Sequence, residues 1–296
     1  MSKYTEEQLA GFTKPPSNTE ETRLANAVKQ IREAISCDPV LKSKTIEVFG
    51  QGSYENDTNV KQNSDVDVNV MFTDCFYYEI PPNEDESKYV SGGACEYSFT
   101  EFKRDVMNAL VNKFGATAVS RENKCINISE NTNRVSSDVV PTWLYKRFVN
   151  TRQVELGSKL ISDTSDPVIN FPKQHVENNK RKNNATQKRY KRLTRIVKRI
   201  RYNMIDDGVW TNEAISSFLL ESLMWNVPDN VYNNYSSWSE RLKQAIIFLY
   251  HNTLNPSLCR EWGEVSELLY LFHPSRKWSV ELVNQFLAKM WQYLGF

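Results

Sequence analysis

Two aspartates separated by a single residue are well suited to metal chemistry in this chain. Asp65 and Asp67 fall in the run Ser64-Asp65-Val66-Asp67-Val68-Asn69-Val70. Successive side chains of a strand point to opposite faces, so we expect Asp65, Asp67 and Asn69 to share one face while the valines are buried on the other. Two carboxylates held this close repel each other unless a cation compensates, and oxygen ligands suit Mg²⁺ or Mn²⁺. The alternation therefore predicts a divalent-metal site.

A third carboxylate is expected from another strand. Phosphoryl transfer between two metal ions needs one ion for the attacking hydroxyl and one for the triphosphate and its leaving group. Asp138 lies late in a predicted strand over 134–140, which forms a hairpin with a strand over 125–129 and ends at Pro141. We expect Asp138 to complete the site if its strand lies beside that of Asp65.

Four further residues are candidates for binding a triphosphate. Gly52 allows close approach of the backbone, and free N–H groups together with the Ser53 hydroxyl can meet phosphate oxygens. Lys198 would supply a positive charge from a later helix, and Ser217, which opens the next helix, lies 19 residues further on. That spacing suits two antiparallel helices whose residues meet.

Each of these residues also has a purely structural interpretation. An isolated Asp-x-Asp is common on exposed strand faces, and a lone lysine on a helix is usually solvated. Asn178 could offer its amide to a base edge, and Phe218 could stack on a base, although an aromatic beside Leu219 and Leu220 is more often in the core. The combination with the Gly-Ser turn and Asp138 favours the metal site.

The surrounding pattern predicts an α+β chain. Ser17 and Ser98 each precede a glutamate by three residues, as in a capping box, and each opens a helix with an apolar stripe. After a strand over 65–72 comes a polar, acidic stretch that we interpret as a loop, and from about residue 171 the pattern is helical almost throughout. We therefore expect two parts, 1–170 with the sheet and 171–296 as a helical lobe.

Composition narrows the setting. The 296 residues include five widely spaced cysteines without a Cys-x-x-Cys and only three histidines, so neither a disulfide framework nor a zinc site is expected. The N-terminus is polar, and no apolar run approaches the ~18–20 residues that span a membrane. We expect a cytoplasmic protein. Net charge is only +1, yet the stretch 173–201 holds twelve Lys or Arg and one acid, which would attract triphosphates or nucleic acid.

These motifs resemble those of the DNA polymerase beta superfamily of nucleotidyltransferases, and more narrowly the cGAS/DncV-like family of bacterial anti-phage (CBASS) signalling. The resemblance covers about residues 45–225. It rests on the segments Gln51-Gly52-Ser53-Tyr54, Ser64-Asp65-Val66-Asp67-Val68, Asp138-Val139-Val140-Pro141, Pro172-x-x-His175-x-x-Asn178, Tyr190-Lys191-x-x-x-Arg195-Ile196-Val197-Lys198 and Ser217-Phe218-Leu219-Leu220-Glu221.

The resemblance implies a polymerase-beta-like core with a mixed sheet, an N-terminal helix packing on both lobes, and an active site in the cleft next to the helical lobe. It implies two Mg²⁺ ions, with Mn²⁺ as a substitute, held by Asp65, Asp67 and Asp138. The nucleotide would contact Gln51, Gly52, Ser53, Lys198, Ser217 and Asn178.

The implied activity is a cyclic oligonucleotide synthase that joins ribonucleoside triphosphates and releases pyrophosphate. It would act as a monomer, and its product would be read by a downstream effector protein. The alternatives are a transferase that adds single nucleotides to RNA 3′ ends or to a protein, with the basic stretch as a nucleic-acid track, and a non-catalytic nucleotide-binding module. Base choice, linkage, ring size and the activating signal stay open.

Overall fold

The computed structural model describes residues 2–15, 17–60 and 65–296, with the side chain of Asn18 excepted. These residues form two compact units. One unit, which we call the sheet unit, comprises segments 17–54 and 65–173; the other, the helical unit, comprises 2–15, 55–60 and 174–296. The contacts thus place the main boundary at residue 173/174 and assign two N-terminal segments to the helical unit. The simpler division at residue 170 stays a prediction.

The sheet unit is built on one mixed sheet. Within the described ranges its seven strands run in the spatial order β1-β2-β5-β4-β3, and β6 pairs with both β5 and β7. The β2–β5 pair is parallel and the other pairs are antiparallel. The strands are β1 (Ile46–Gln51), β2 (Val66–Glu79), β3 (Val119–Arg121), β4 (Ile126–Ile128), β5 (Ser137–Asn150), β6 (Gln153–Ile161) and β7 (Pro167–Asn170).

Two long helices bury one face of this sheet. They are α2 (Asn18–Cys37) and α4 (Phe99–Phe114), and the hydroxyls of Ser17 and Ser98 cap them as the sequence predicts. The three valines of the Asp-x-Asp run are fully buried in the same cluster as the apolar stripes of both helices. Burial of this face fixes the register of β2, because a slip by one residue would expose every valine.

Two strands are longer than predicted. β2 continues past residue 72 to Glu79, so the acidic loop begins later than expected. β5 continues through Pro141 to Asn150, and the prediction that Pro141 ends the strand is wrong. Pro141 lies between Val139, the last residue paired with β4, and Trp143, the first paired with β6. At that gap β5 has a partner on one side only, which tolerates the missing N–H of proline.

The expectation of five unpaired cysteines is also corrected. Cys75 and Cys95 form a disulfide with a Cα–Cα distance of 6.1 Å, whereas Cys37, Cys125 and Cys259 are free. Both half-cystines pack against the core of the sheet unit. The extension of β2 brings Cys75 to the end of the acidic loop, a proximity that the spacing of 20 residues does not reveal.

The helical unit packs around its own apolar core. Short helices α1 (Glu6–Phe12) and α3 (Gly52–Glu55) precede it in the chain, the latter in the sheet unit up to residue 54. A break at residues 186–188, where Gln187 and Lys188 adopt positive φ, divides the helix predicted over 185–204. The helices are α5 (Pro172–Ala185), α6 (Arg189–Asp206), α7 (Ser217–Asn226), α8 (Asp229–Asn233), α9 (Trp238–Leu254), α10 (Pro256–Cys259) and α11 (Val280–Leu294). Among the described helices, none is both long and apolar enough to cross a membrane.

Candidate active site

The parallel pairing of β2 and β5 places two of the predicted acids side by side. Asp67 is the direct register partner of Asp138, and both side chains are half-buried. Parallel strands bring their N-terminal ends to the same edge, so acids near the start of each strand meet there. Asp138 is the second residue of β5 rather than a late one, as the sequence had suggested. Exposed Asp65 lies just before β2, whereas Ser64 falls outside the described residues.

Gly52 lies directly against one of these carboxylates. Its φ of +68° is in the left-handed region, and a Cβ added there would come within 2.2 Å of Asp67 Oδ2. Side chains rarely adopt this backbone conformation, and such a contact is far inside van der Waals distance. The turn after β1 therefore requires glycine for its conformation and for its closeness to the acid.

The charge of the acids is poorly compensated by the protein itself. Burial, followed by repulsion from Asp138 and Asp65, raises the pKa of Asp67 to about 7. A carboxyl in this environment favours its neutral form until a positive charge arrives. The site thus has the electrostatic character expected of a cation-binding centre.

The acids do not form a complete metal cage. In the ranges that the structure describes, no set of three or more His, Cys, Asp or Glu side chains is grouped so as to hold a metal ion. Mg²⁺ is usually held by one or two carboxylates together with waters and substrate phosphates, rather than by an all-protein cage. The Asp67–Asp138 pair matches that smaller requirement.

A buried polar chain supports the turn from below. The Thr142 hydroxyl donates to Asn69 Oδ1 at 2.6 Å, and Asn69 Nδ2 donates to Gln51 Oε1 at 3.1 Å. Asn69 is 1% exposed. Gln51, predicted to bind nucleotide, is therefore held by Asn69, which shares a strand face with the acids as the alternation indicated.

Other polar groups flank Asp138. Asn127 of β4 is its register partner on the opposite side, and Asn127 Nδ2 donates to Asp138 Oδ1 at 3.0 Å. The Cys125 thiol also faces this carboxylate, and burial together with Asp138 raises the pKa of the thiol to about 12. Neither residue was identified from the sequence. The signal, in hindsight, is the polar position of Asn127 between two buried isoleucines in a three-residue strand.

Lys198 lies in the helical unit and is 1% exposed. Its ammonium donates to Glu221 Oε2 at 2.8 Å and to Thr58 Oγ1 at 2.9 Å. Burial alone would raise the pKa of Glu221, but Lys198 and His175 outweigh it and hold that pKa well below its usual range. In this structure the charge of Lys198 is matched by Glu221, so its contact with phosphate stays a prediction.

The remaining candidates lie on helices α5 and α7. Ser217 is half-buried, with its hydroxyl 3.5 Å from Tyr202 Oη, and Phe218 is 36% exposed. Asn178 is buried and donates its amide to the Val265 carbonyl at 2.8 Å. Asn178 is thus hydrogen-bonded within the helical unit, and its role toward a base stays a prediction.

Comparison with known proteins adds independent evidence. The cGAS/DncV-like nucleotidyltransferase C-terminal helical domain matches residues 177–295. The cyclic dipyrimidine nucleotide synthase CdnE of Cecembia lonarensis is 52% identical over the full length of both chains. A cyclic dipurine nucleotide synthase of Elizabethkingia meningoseptica is 36% identical, with 99% of each chain covered.

A solved structure gives the same result for the fold. The CdnE cyclic dinucleotide synthase of Elizabethkingia meningoseptica, determined with GTP and Apcpp, is similar with a TM-score of 0.84. Its sequence is 36% identical, and the match covers 99% of this chain and 100% of that one. The predicted α+β architecture with a C-terminal helical domain is confirmed. The chain belongs to the cGAS/DncV-like family and is a nucleotidyltransferase.

Proposed function

We propose that this enzyme joins two ribonucleoside triphosphates, or three in a variant of the same reaction, into a cyclic oligonucleotide with release of pyrophosphate. The observation that carries the proposal is the Asp67–Asp138 register pair directly under Gly52. Full-length similarity to cyclic nucleotide synthases supports it.

The acids fit a pair of Mg²⁺ ions, for which Mn²⁺ can substitute. The raised pKa of Asp67 reports carboxylate repulsion that a dication would relieve. Asp65, Asp67 and Asp138 would hold the ions together with phosphate oxygens. When bound, such ions lower the pKa of the attacking hydroxyl and neutralise charge on the phosphates.

The chain's own residues position the reactants. Gly52 leaves room beside Asp67 for the phosphates of the donor, and the Ser53 hydroxyl is proposed to donate to them. Asp138 is proposed to orient the acceptor ribose hydroxyl and accept a hydrogen bond from it. Lys198 and Ser217 are proposed to bind the triphosphate, which for Lys198 requires an exchange of its bond to Glu221 for one to phosphate.

The product is proposed to contain pyrimidines. The relative with 52% identity is named for a cyclic dipyrimidine product, whereas the dipurine synthase is 36% identical. Asn178 stays a candidate for reading the base edge, and exposed Phe218 is a candidate to stack on the base. The product would act on an effector protein in anti-phage signalling, and we propose a monomeric, cytoplasmic enzyme.

Transfer of single nucleotides to RNA or protein is the second candidate. It would use the basic stretch as a track, but several of its cations are already paired with carboxylates. The pairs are Lys173–Glu47, Arg181–Glu267, Lys182–Asp229, Arg195–Asp57 and Lys198–Glu221. This pairing reduces the charge available to a polyanion and disfavours the track.

One incubation tests the proposal. Purified enzyme receives Mg²⁺ and an equal mixture of the four labelled ribonucleotides, with and without added RNA, and products are treated with phosphatase and identified by mass spectrometry. We expect small phosphatase-resistant products without RNA, and their loss in the Asp65→Asn/Asp67→Asn double variant and in Asp138→Asn. Label found only on added RNA or on protein would establish the second candidate, and undiminished synthesis by either variant would refute the metal assignment.

A further inference from the structure

We propose that Asn127 is a positioning residue for Asp138, and that it aims one carboxylate oxygen of Asp138 at the reacting groups. The inference rests on the proposed role of Asp138 as a metal ligand. It assigns a function to a strand residue that lies outside the motifs of the sequence.

The sheet aligns three polar side chains across neighbouring strands. Asp67 of β2 pairs with Asp138 of β5, and Asp138 pairs in turn with Asn127 of β4. Asn127 Nδ2 lies 3.0 Å from Asp138 Oδ1 and 3.3 Å from Ser136 Oγ. Asp138 is therefore flanked by a like charge on one side and by a hydrogen-bond donor on the other.

The chemistry of the two groups fixes the direction of the bond. An ionised carboxylate only accepts, so the NH₂ group of Asn127 must face it. Hydrogen bonds to a charged acceptor are stronger than neutral ones. With Oδ1 engaged in this way, the carboxylate of Asp138 loses rotational freedom, and its other oxygen, Oδ2, is left to bind an ion.

The position of Asn127 is itself fixed by the core. Ile126 and Ile128 on either side of it are both fully buried, so Asn127 must point to the opposite face, where the acids lie. Asparagine is disfavoured in strands. A residue that costs stability at this position, yet meets the carboxylate, is consistent with a role in the site.

The role predicts a specific kinetic defect. Groups that orient a metal-binding side chain typically change metal affinity or activity by about 10- to 100-fold when they are removed. Asn127→Ala and the similarly sized Asn127→Leu should raise the Mg²⁺ or Mn²⁺ concentration for half-maximal synthesis by about that factor and lower kcat. Because Asp65 and Asp67 keep their environment, the KM for the donor should change little.

The matched control is Asn123→Ala. Asn123 accepts a hydrogen bond from the Asp163 N–H through Oδ1, in the segment just before β4, and does not contact Asp138. This variant loses a hydrogen bond of the same residue type in the same region, so it reports the structural cost alone. Asn127→Leu separates lost packing from lost hydrogen bonding, because it keeps the volume and removes the donor.

The experiment measures synthesis against Mg²⁺ and Mn²⁺ concentration, donor KM, and thermal stability for each variant, with Asp138→Asn as reference. A raised metal requirement in both Asn127 variants, with unchanged donor KM and near-normal behaviour of Asn123→Ala, supports the proposal. Wild-type metal dependence in Asn127→Ala would overturn it, as would full recovery in Asn127→Leu or a parallel loss in Asn123→Ala. If Asp138→Asn retains normal turnover, the proposed function itself fails, which is a separate outcome.

Discussion

Gly52 meets two requirements at once. Its backbone has a positive φ, and its missing side chain leaves space for Asp67 Oδ2. Gly208 meets only the first, since its φ is +69° and a Cβ added at that position would meet nothing within 4 Å. The two glycines therefore separate backbone strain from crowding of the site.

We predict that Gly52→Ala lowers turnover by at least 100-fold, because the added methyl group forces Asp67 out of place. Gly208→Ala should cost a similar ~1 kcal/mol of backbone strain and leave turnover within about twofold. The measurements are kcat in the synthesis assay and the free energy of unfolding in urea. Equal kinetic effects in the two variants would show that the contact with Asp67 is not what makes Gly52 necessary.

At this scale the sequence was informative about acids and silent about their neighbours. Asp65 and Asp67 were readable because strand periodicity and charge repulsion are properties of adjacent residues. Asn127 and Thr142 act through partners 11 and 73 residues away along the chain. Such contacts depend on strand order, which local pattern does not specify.

Among the elements, α6 and α7 are joined by a buried charged cluster. Glu221 of α7 accepts hydrogen bonds from Lys198 of α6, from His175 and Asn179 of α5, and from Thr58. The sequence placed Lys198 and Ser217 on facing helices correctly, but it did not identify Glu221 as the partner. One turn beyond Ser217, Glu221 is simply the residue that faces α6.

We predict that Glu221→Gln destabilises the protein by about 3 kcal/mol, because it leaves the charge of Lys198 buried and unpaired. Folding lowers the pKa of Glu221, so its contribution is complete above the ordinary glutamate pKa of ~4.3 and declines as pH falls below it. The difference from wild type should thus narrow toward pH 3.

The control is Glu267→Gln, which breaks an exposed pair with Arg181 and should cost under ~1 kcal/mol. Urea denaturation at pH 7 and pH 4 measures both variants. A loss no larger in Glu221→Gln than in Glu267→Gln would show that the buried cluster contributes little to stability.

In the molecule as a whole, the chain passes between the two units more often than the sequence indicated. Segment 55–60 connects β1 to β2, yet its contacts belong to the helical unit. Thr58 within it supplies a partner to both Lys198 and Glu221. The helical lobe was predictable from periodicity, whereas this crossing depends on long-range contacts.

The disulfide bears on the environment of the molecule. Cys75–Cys95 closes a loop of 20 residues, which corresponds to about 3 kcal/mol of stabilisation in the chain-entropy model. A reducing compartment would convert it to two thiols. We predict that protein denatured directly from the bacterial cytoplasm with an alkylating agent carries five modified cysteines, and that air-oxidised protein carries three.

Intact mass after alkylation counts the modified residues, and Cys75→Ser/Cys95→Ser is the control with three thiols in both preparations. Three modified cysteines in the cytoplasmic sample would show that the bond forms there and would weigh against a reduced state. Thermal melts with and without reductant should differ for wild type and coincide for the double serine variant.

The alternation in β2 ties correct assembly to catalytic competence. Because Val66, Val68 and Val70 are buried on one side of the strand and the acids lie on the other, a pairing shifted by one residue would bury charge and expose the valines. A misaligned copy would therefore be an insoluble or degraded one. Cells holding this protein in soluble form should contain few molecules that are folded yet chemically dead, so its abundance is a fair measure of its capacity to signal.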